Sequence, residues 1–243
     1  SWGKWRLKPE KELVESQKRN AALEAVKHVK DRFIVGLGSG STAAYAIEAI
    51  GERIRCENLV LMAVPTSYQA FLLAAKCGVP ITTLEEHPII DLTIDGADQI
   101  DPKLNLIKGM GAALAREKIV ASMSRKNVII ADESKKVKFL GENNHPVPVE
   151  VLPFAITAVK QKIEKIGGKA VLREGNGKLG PVITDNGNAL IEAFFGVINN
   201  AADLEKKVKM IPGVIETGLF VGLSDAAYVG TISSVVRIEK RTD

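Results

Sequence analysis

The sequence predicts an α/β protein: a Rossmann-like, doubly wound parallel sheet with a smaller α+β second domain. Three observations carry this. Short apolar runs alternate with helical patterns as far as residue 131. A glycine-rich turn, Gly36-Leu37-Gly38-Ser39-Gly40-Ser41-Thr42, joins the first run to the helix after it. The texture then changes at Pro146-Val147-Pro148-Val149, and the order that follows reads as β-α-β-β-α-β, the split βαβ, ferredoxin-like arrangement.

The elements follow in order. Residues 11–30 show helical periodicity, with Leu13, Ala21, Ala25 and Val29 among the apolar positions. Phe33–Leu37 is a short apolar run of the kind that forms a buried strand. A helix is expected over roughly 42–53, and a strand over Leu59–Val64, ended by Pro65-Thr66-Ser67. Another helix runs to about Cys77-Gly78, and Ile81–Leu84 and Ile89–Asp95 read as the third and fourth strands. The glycine-containing loop at Lys108–Gly111 leads into a helix to about Arg125, then a strand over Asn127–Ala131.

In the second domain a helix spans about 154–166 and ends at Gly167-Gly168. Strands are expected at 169–174 and about 181–195, the latter interrupted by the turn Asp185-Asn186-Gly187-Asn188. A helix at about 201–210 and a strand at 214–221 complete the unit, and a strand over Ser233–Ile238 is placed to rejoin the first sheet. The expected domains are 1–145 plus 224–243, carrying catalysis, and 146–223, with a role in oligomerisation.

At 243 residues, 46% hydrophobic and 26% charged, the chain is long enough for one large or two modest domains. The net charge of +4 is mild. Basic residues are densest over 1–32, but Glu10, Glu12, Glu15, Glu24 and Asp31 dilute them, which reads as a solvated helix rather than a nucleic-acid surface. An aromatic content of 5% leaves few platforms for stacking single strands. Cys56 and Cys77 with His28, His87 and His145 offer no zinc-ligand spacing, so no metal is expected. No apolar run approaches a span of about 20 residues, and no signal-type segment is visible, so a cytoplasmic protein without membrane association is expected.

The glycine turn is open to three nucleotide or phosphate readings. A dinucleotide fingerprint requires G-x-G-x-x-G, but the third position is Ser41, and the second strand ends Ala63-Val64-Pro65-Thr66 without the acidic residue that holds a ribose. A P-loop requires Lys after the glycines, and none follows. A small phosphate held by Ser39–Thr42 remains, beside a plain strand-to-helix turn capped by Ser41 or Thr42.

Further along, Asp95-Gly96-Ala97-Asp98 follows an apolar strand, where α/β sheets bind ligands, though Asp-Gly is also an ordinary turn. Lys108-Gly109-Met110-Gly111 is a second glycine loop, equally compatible with a helix start behind a solvent lysine. Glu117 has Ala113, Leu114, Val120 and Ala121 at its helical neighbour positions. A poorly solvated carboxylate is a stronger proton acceptor, which suits a general base. Arg116 has similarly apolar neighbours, so a structural Arg116–Glu117 role stays open. Lys135, in Asp132-Glu133-Ser134-Lys135, is either a phosphate ligand or a surface lysine.

Taken together, G-x-G-S-G-S-T, D-G-A-D, L-I-K-G-x-G-A-A-L-x-R-E-K-I and A-D-E-S-K closely resemble ribose-5-phosphate isomerase of type A. Pro146–Pro153, the stretch Val182–Asn188 and Ile211-Pro212-Gly213-Val214 are also similar, so the resemblance covers nearly all of residues 11–243. It implies a substrate phosphate on Ser39, Gly40, Ser41 and Thr42, complemented by Lys18 and Lys135. Asp95, Gly96, Ala97 and Asp98 with Lys108, Gly109, Met110 and Gly111 would surround the reacting end of the sugar, and Glu117 would be the base.

The implied reaction interconverts D-ribose 5-phosphate and D-ribulose 5-phosphate through a cis-enediolate, without a cofactor. Glu117 would carry the proton, Lys108 and the Gly109–Gly111 amides would meet the developing oxyanion, and Asp95 would help open the furanose ring. Asp98 would orient sugar hydroxyls or Lys108. Two departures stand out: Ser39 where the family often has Thr, and Met110 where many members have Gly, so the Met110 side chain has to point away from the substrate. A deaminase or lactonase acting on a related sugar phosphate, or a non-catalytic sugar-phosphate sensor, are the alternatives. Partners beyond the sugar phosphate are expected to be copies of the chain itself, as a homodimer or homotetramer, with no nucleic acid.

Overall fold

The structure is a computed structural model and describes residues 7–240, with side chains from residue 10 onward; the N-terminal extension of residues 1–6 lies outside the described residues. Contacts divide the chain into two compact units. The first takes the chain up to Gly96, Val120–Lys135 and everything from Ser224; the second takes Ala97–Ile119 and Lys136–Leu223.

The first unit is built on helix α1 (Leu7–Val26), strand β1 (Ile34–Leu37), α2 (Ser41–Glu57), β2 (Met62–Pro65), α3 (Tyr68–Lys76) and β3 (Leu92–Asp95). The chain then passes through β4 (Gln99–Ile100), β5 (Leu106–Ile107) and α4 (Leu114–Ser122) before returning with β6 (Asn127–Asp132). The second unit continues with β7 (Val147–Val151), α5 (Ile156–Lys165), β8 (Lys169–Leu172), β9 (Ala189–Phe194), α6 (Ala201–Lys209), β10 (Val214–Thr217) and β11 (Leu219–Phe220). Strands β12 (Ala226–Gly230) and β13 (Val235–Glu239) complete the first.

In the first unit six strands run in the order β13-β12-β6-β3-β1-β2, all parallel except the β12–β13 hairpin. The wholly buried strands β3 and β6 account for the continuous apolar runs in the sequence. The core beneath them is formed by residues such as Val35, Ile47, Ile50, Leu92 and Ile130. A Cβ on Gly230 would lie 2.1 Å from the carbonyl oxygen of Gln17, so glycine there lets α1 rest directly on β12.

In the second unit β10-β7-β9-β8 form an antiparallel sheet in the order expected of a split βαβ, around Val149, Ile191, Val159 and Val208. A three-stranded sheet, β11-β5-β4, joins it. That pairing explains why 97–119 and 136–145 fall in the second unit rather than with the expected 1–145: β5 is hydrogen-bonded to β11, and Val137 N donates to the Ile100 carbonyl. No described helix is long and apolar enough to cross a membrane.

Several expected strands are corrected. Ile81–Leu84 is not a strand; one isolated parallel bridge joins Ile81 to Ala63, and the chain enters a turn at Leu84. The run 214–221 is two strands in two sheets, split at Gly218, where a Cβ would lie 2.3 Å from the Lys108 carbonyl oxygen. Within 181–195 only β9 is a strand; the preceding stretch makes isolated bridges through Pro181 and Ile183.

Candidate active site

The first unit places the glycine turn where its sheet changes direction. Strand order reverses between β1 and β3, and ligands in open α/β sheets bind outside the carboxyl ends of strands at such a point. Gly38–Thr42 follows β1, and Asp95-Gly96 ends β3. Gly38 N donates to the Ile94 carbonyl at 2.9 Å. Asp95 Oδ1 accepts from the amides of Ser39 at 3.3 Å and Gly96 at 2.7 Å. A Cβ on Gly38 would lie 2.1 Å from that same oxygen, so only glycine permits this approach.

The expected N-cap is corrected. Ser41 is already the first residue of α2, and the cap is Gly40, at φ 94°, with no capping side chain. The opening amides of α2 therefore form an anion-attracting helix start without a competing cap hydroxyl. Gly40 N itself donates to Gln69 Oε1 at 2.9 Å. The Ser39 hydroxyl turns to the start of α3, 2.9 Å from Thr66 Oγ1 and 2.5 Å from Ser67 Oγ, which also caps α3 through Ala70 N. Ser39 thus braces the turn with both its amide and its hydroxyl.

Helix α1 carries one of the predicted cations, Lys18, and is tied to the segment that carries the other, Lys135. Lys18 Nζ lies 3.2 Å from Ser41 Oγ and 3.1 Å from Glu15 Oε1. Hydrogen bonds from the Tyr45 hydroxyl and then from Lys18 hold the Glu15 carboxyl below its usual range. The neighbouring Gln17 donates to Glu133 Oε1 at 3.2 Å, in the short 3₁₀ turn Glu133–Lys135 at the carboxyl end of β6, so α1 is tied to the segment that carries Lys135.

In the second unit the loop Lys108–Gly111 leaves β5. Lys108 N donates to the Gly218 carbonyl at 2.8 Å. Gly109 has φ 110°, and a Cβ there would meet Leu114 Cδ2 at 2.6 Å and Pro148 Cβ at 2.9 Å. Asp98 Oδ2 accepts from Met110 N at 3.0 Å, so Asp98 orients the loop backbone. Lys108 Nζ stands 3.0 Å from Glu117 Oε2, and both side chains are buried. The ammonium supplies the opposite charge that a buried carboxylate requires. Phe220 closes the apolar side, its ring centroid 5.6 Å from Lys108 Nζ and 4.9 Å from Lys118 Nζ.

Helix α4 sets Arg116 and Glu117 apart by burial. Glu117 is buried and Arg116 is exposed, although a helical wheel gives them similar neighbours. Arg116 instead reaches Asn186 Oδ1 at 2.8 Å and the Asp185 carbonyl at 3.2 Å, while Asn186 Nδ2 donates to the buried Glu150. The Asp185–Asn188 turn therefore fixes the flank of the helix that presents Glu117. On the other side Lys118 is buried, with Glu205, Glu216 and the Leu219 carbonyl within 3.0 Å of its ammonium.

Gln69, Arg173, Lys118 and Phe220 were not foreseen. Gln69 had a signal, its place just beyond the carboxyl end of β2. Arg173 had none: it follows β8, and only the folded chain brings it to the loop, where Nη1 donates to the carbonyls of Gly109 at 3.1 Å and Met110 at 2.9 Å.

A doubly wound sheet with a glycine turn at its switch point in the first unit, and a buried carboxylate in contact with an ammonium in the second, are features of an α/β enzyme. Comparison with known proteins narrows the class. Residues 62–233 match the family model for ribose 5-phosphate isomerase A (phosphoriboisomerase A). The chain is 52% identical over 222 residues to ribose-5-phosphate isomerase A of Archaeoglobus fulgidus, covering 90% of this chain and 97% of that one. It is 49% identical to that of Methanothermobacter thermautotrophicus, covering 90% and 96%.

Among solved structures, ribose 5-phosphate isomerase A from Methanocaldococcus jannaschii matches with a TM-score of 0.88 at 46% identity, over 92% of this chain and 98% of that one. A D-ribose-5-phosphate isomerase in complex with phospho-erythronic acid matches with a TM-score of 0.90 at 45% identity, over 93% and 99%. The chain belongs to the ribose 5-phosphate isomerase A family.

Proposed function

We propose that this chain is the aldose–ketose isomerase that interconverts D-ribose 5-phosphate and D-ribulose 5-phosphate, with Glu117 carrying the proton between C1 and C2. The observation that supports it most is the buried Lys108–Glu117 contact of 3.0 Å beside the Gly109–Gly111 loop. Glu117 takes the C2 proton of the open-chain aldose, leaving a cis-enediolate, and returns it to C1, while the hydroxyl proton on O2 passes to O1. As the first transfer proceeds, negative charge moves from the carboxylate to the substrate oxygens. An ammonium already in contact with the carboxylate serves the charge at both places, and the loop amides add fixed donors.

The phosphate is assigned to Gly40, Ser41 and Thr42 on the α2 start, with Ser39 bracing the turn and Lys18 and Lys135 supplying charge. Its binding energy positions the sugar and takes no part in the proton transfer. Asp95, its plane set by the Ser39 and Gly96 amides, is the group assigned to ring opening, and Asp98 to holding the Lys108 loop. Gly96 and Ala97 carry the chain between these carboxylates.

The deciding experiment is a coupled assay of ribose 5-phosphate conversion to ribulose 5-phosphate; a folded sample without turnover ends this reading. Lys135→Ala is expected to raise KM for ribose 5-phosphate about tenfold with kcat nearly unchanged, the loss of one charge-assisted contact. An unchanged KM removes Lys135 from the phosphate site. The free cysteines Cys56 and Cys77 fit a cytoplasmic setting. Exposed Leu152, Phe154 and Met210 in the second unit support a homodimer or homotetramer, which light scattering tests.

A further inference from the structure

We propose that Arg173 is a positioning residue for the isomerisation, clamping the peptides of the Lys108–Gly111 loop so that the Met110 amide is held on Asp98 and the Gly111 amide faces the reacting oxygens. This rests on the reading of that loop as the oxyanion donor. Arg173 Nη1 donates to two successive carbonyls, Gly109 at 3.1 Å and Met110 at 2.9 Å. In a trans peptide the N–H points opposite to the C=O. Both carbonyls therefore face the guanidinium, and the N–H groups of Met110 and Gly111 are directed away from it.

The first of these peptides is gripped at both ends, since Met110 N meets Asp98 Oδ2 at 3.0 Å while the Gly109 carbonyl meets the guanidinium. The second has its carbonyl on the same Nη1, which turns the Gly111 amide away from the guanidinium as the donor left for the substrate. A charged donor on a carbonyl also polarises that amide and strengthens its N–H as a donor.

The clamp answers a need of the local sequence. Glycines flank Met110 on both sides, and Gly109 already has φ 110°. Peptides beside glycine flip at little steric cost, so the loop's sequence does not by itself fix which way its amides face. The guanidinium does so, and it is itself held by Glu192 Oε1 on β9, 2.8 Å from Nε, with little of the arginine side chain exposed. The same cation gives the Met110 side chain its place: Met110 Sδ lies 3.8 Å from Arg173 Nη2, so the side chain lies back along the guanidinium.

The test compares Arg173→Ala, Arg173→Lys and Lys108→Met. Each is assayed for kcat and KM with ribose 5-phosphate, for competitive inhibition by phospho-erythronic acid and by inorganic phosphate, and for thermal unfolding. For Arg173→Ala, kcat per folded enzyme is expected to fall roughly 10²-fold through misplaced donors. Its inhibition constant for inorganic phosphate should stay unchanged, while that for phospho-erythronic acid weakens. Arg173→Lys should recover about tenfold of the lost kcat by restoring one charge-assisted bond, and it carries the test if the alanine variant fails to fold.

A purely structural role for Arg173 would lower the unfolding temperature and leave kcat per folded enzyme at the wild-type value in both variants, and that result overturns the proposal. Lys108→Met separates the two levels. If it retains wild-type kcat, the reading of the Lys108 ammonium as an oxyanion donor is wrong. If it collapses kcat while the Arg173 variants do not, the clamp alone is wrong.

Discussion

Glu117→Gln is expected to lower kcat for ribose 5-phosphate by about 10³-fold while KM moves little, the magnitude of removing a positioned general base. Glutamine keeps the shape of the side chain and an oxygen that accepts from Lys108, but it cannot take a proton from carbon. The substitution also removes the negative charge that stands 3.0 Å from the buried Lys108 ammonium. Some stability is lost for that reason, so rates are compared per folded enzyme, with unfolding followed by circular dichroism. Near-normal kcat in a folded sample would remove Glu117 from the proton transfer.

Lys118→Met is expected to cost about 3 kcal/mol of stability, the cost of removing one member of a buried ion pair. In a chain of this size that lowers the unfolding temperature by roughly 6–12 °C. The lysine stem is replaced by one of similar volume, so lost charge rather than a cavity accounts for the effect. Glu205 and Glu216 stand 3.0 and 2.9 Å from the ammonium.

The pH dependence gives an independent readout of Lys118. Burial alone pushes the Glu216 carboxyl up, but the Lys118 charge, the Thr217 amide and hydrogen bonds from Lys118 and Lys209 outweigh it and hold the group low. Its folded value lies below the ordinary glutamate value of about 4.3, so this contribution is complete above that pH and is lost as pH falls through the lower folded value. Urea midpoints at pH 7 and pH 4 should therefore fall together more steeply with acid in the wild type than in Lys118→Met. Equal acid slopes would show that Lys118 is not what holds Glu216 ionised.

The wound sheet was legible because its strands are short apolar runs between turn signals, and the helices because their faces repeat. What escaped had specific causes. Gln99–Ile100 and Leu106–Ile107 are two-residue strands, too short to leave a pattern. Val147–Val151 reads poorly as a strand because of Pro148, yet it lies inside a sheet. Its register with β10 stops at Val149, and the Pro148 carbonyl accepts from Gly218 N, so the missing N–H falls just past the end of that ladder.

The candidate site divides the same way. The glycine turn, Asp95, Asp98, Lys108 and Glu117 carry local signals of turn, strand end or apolar helix face. The wheel could not separate Arg116 from Glu117, because the burial of α4 is decided by distant partners such as Asn186 and Phe220. Arg173 and Lys118 act through contacts far apart in the chain, which no local pattern records.

The Gly40 amide donates to Gln69, and Lys18 is shared with Glu15. For the phosphate proposed to bind there, association is a substitution reaction: an amide oxygen leaves as a phosphoryl oxygen arrives, and affinity is the difference between two hydrogen bonds. Anionic acceptors form the stronger bond, so the exchange runs toward the phosphate and gains almost nothing for an uncharged sugar. On that proposal, selectivity for phosphorylated substrates is set partly by the internal competitor that the protein itself supplies.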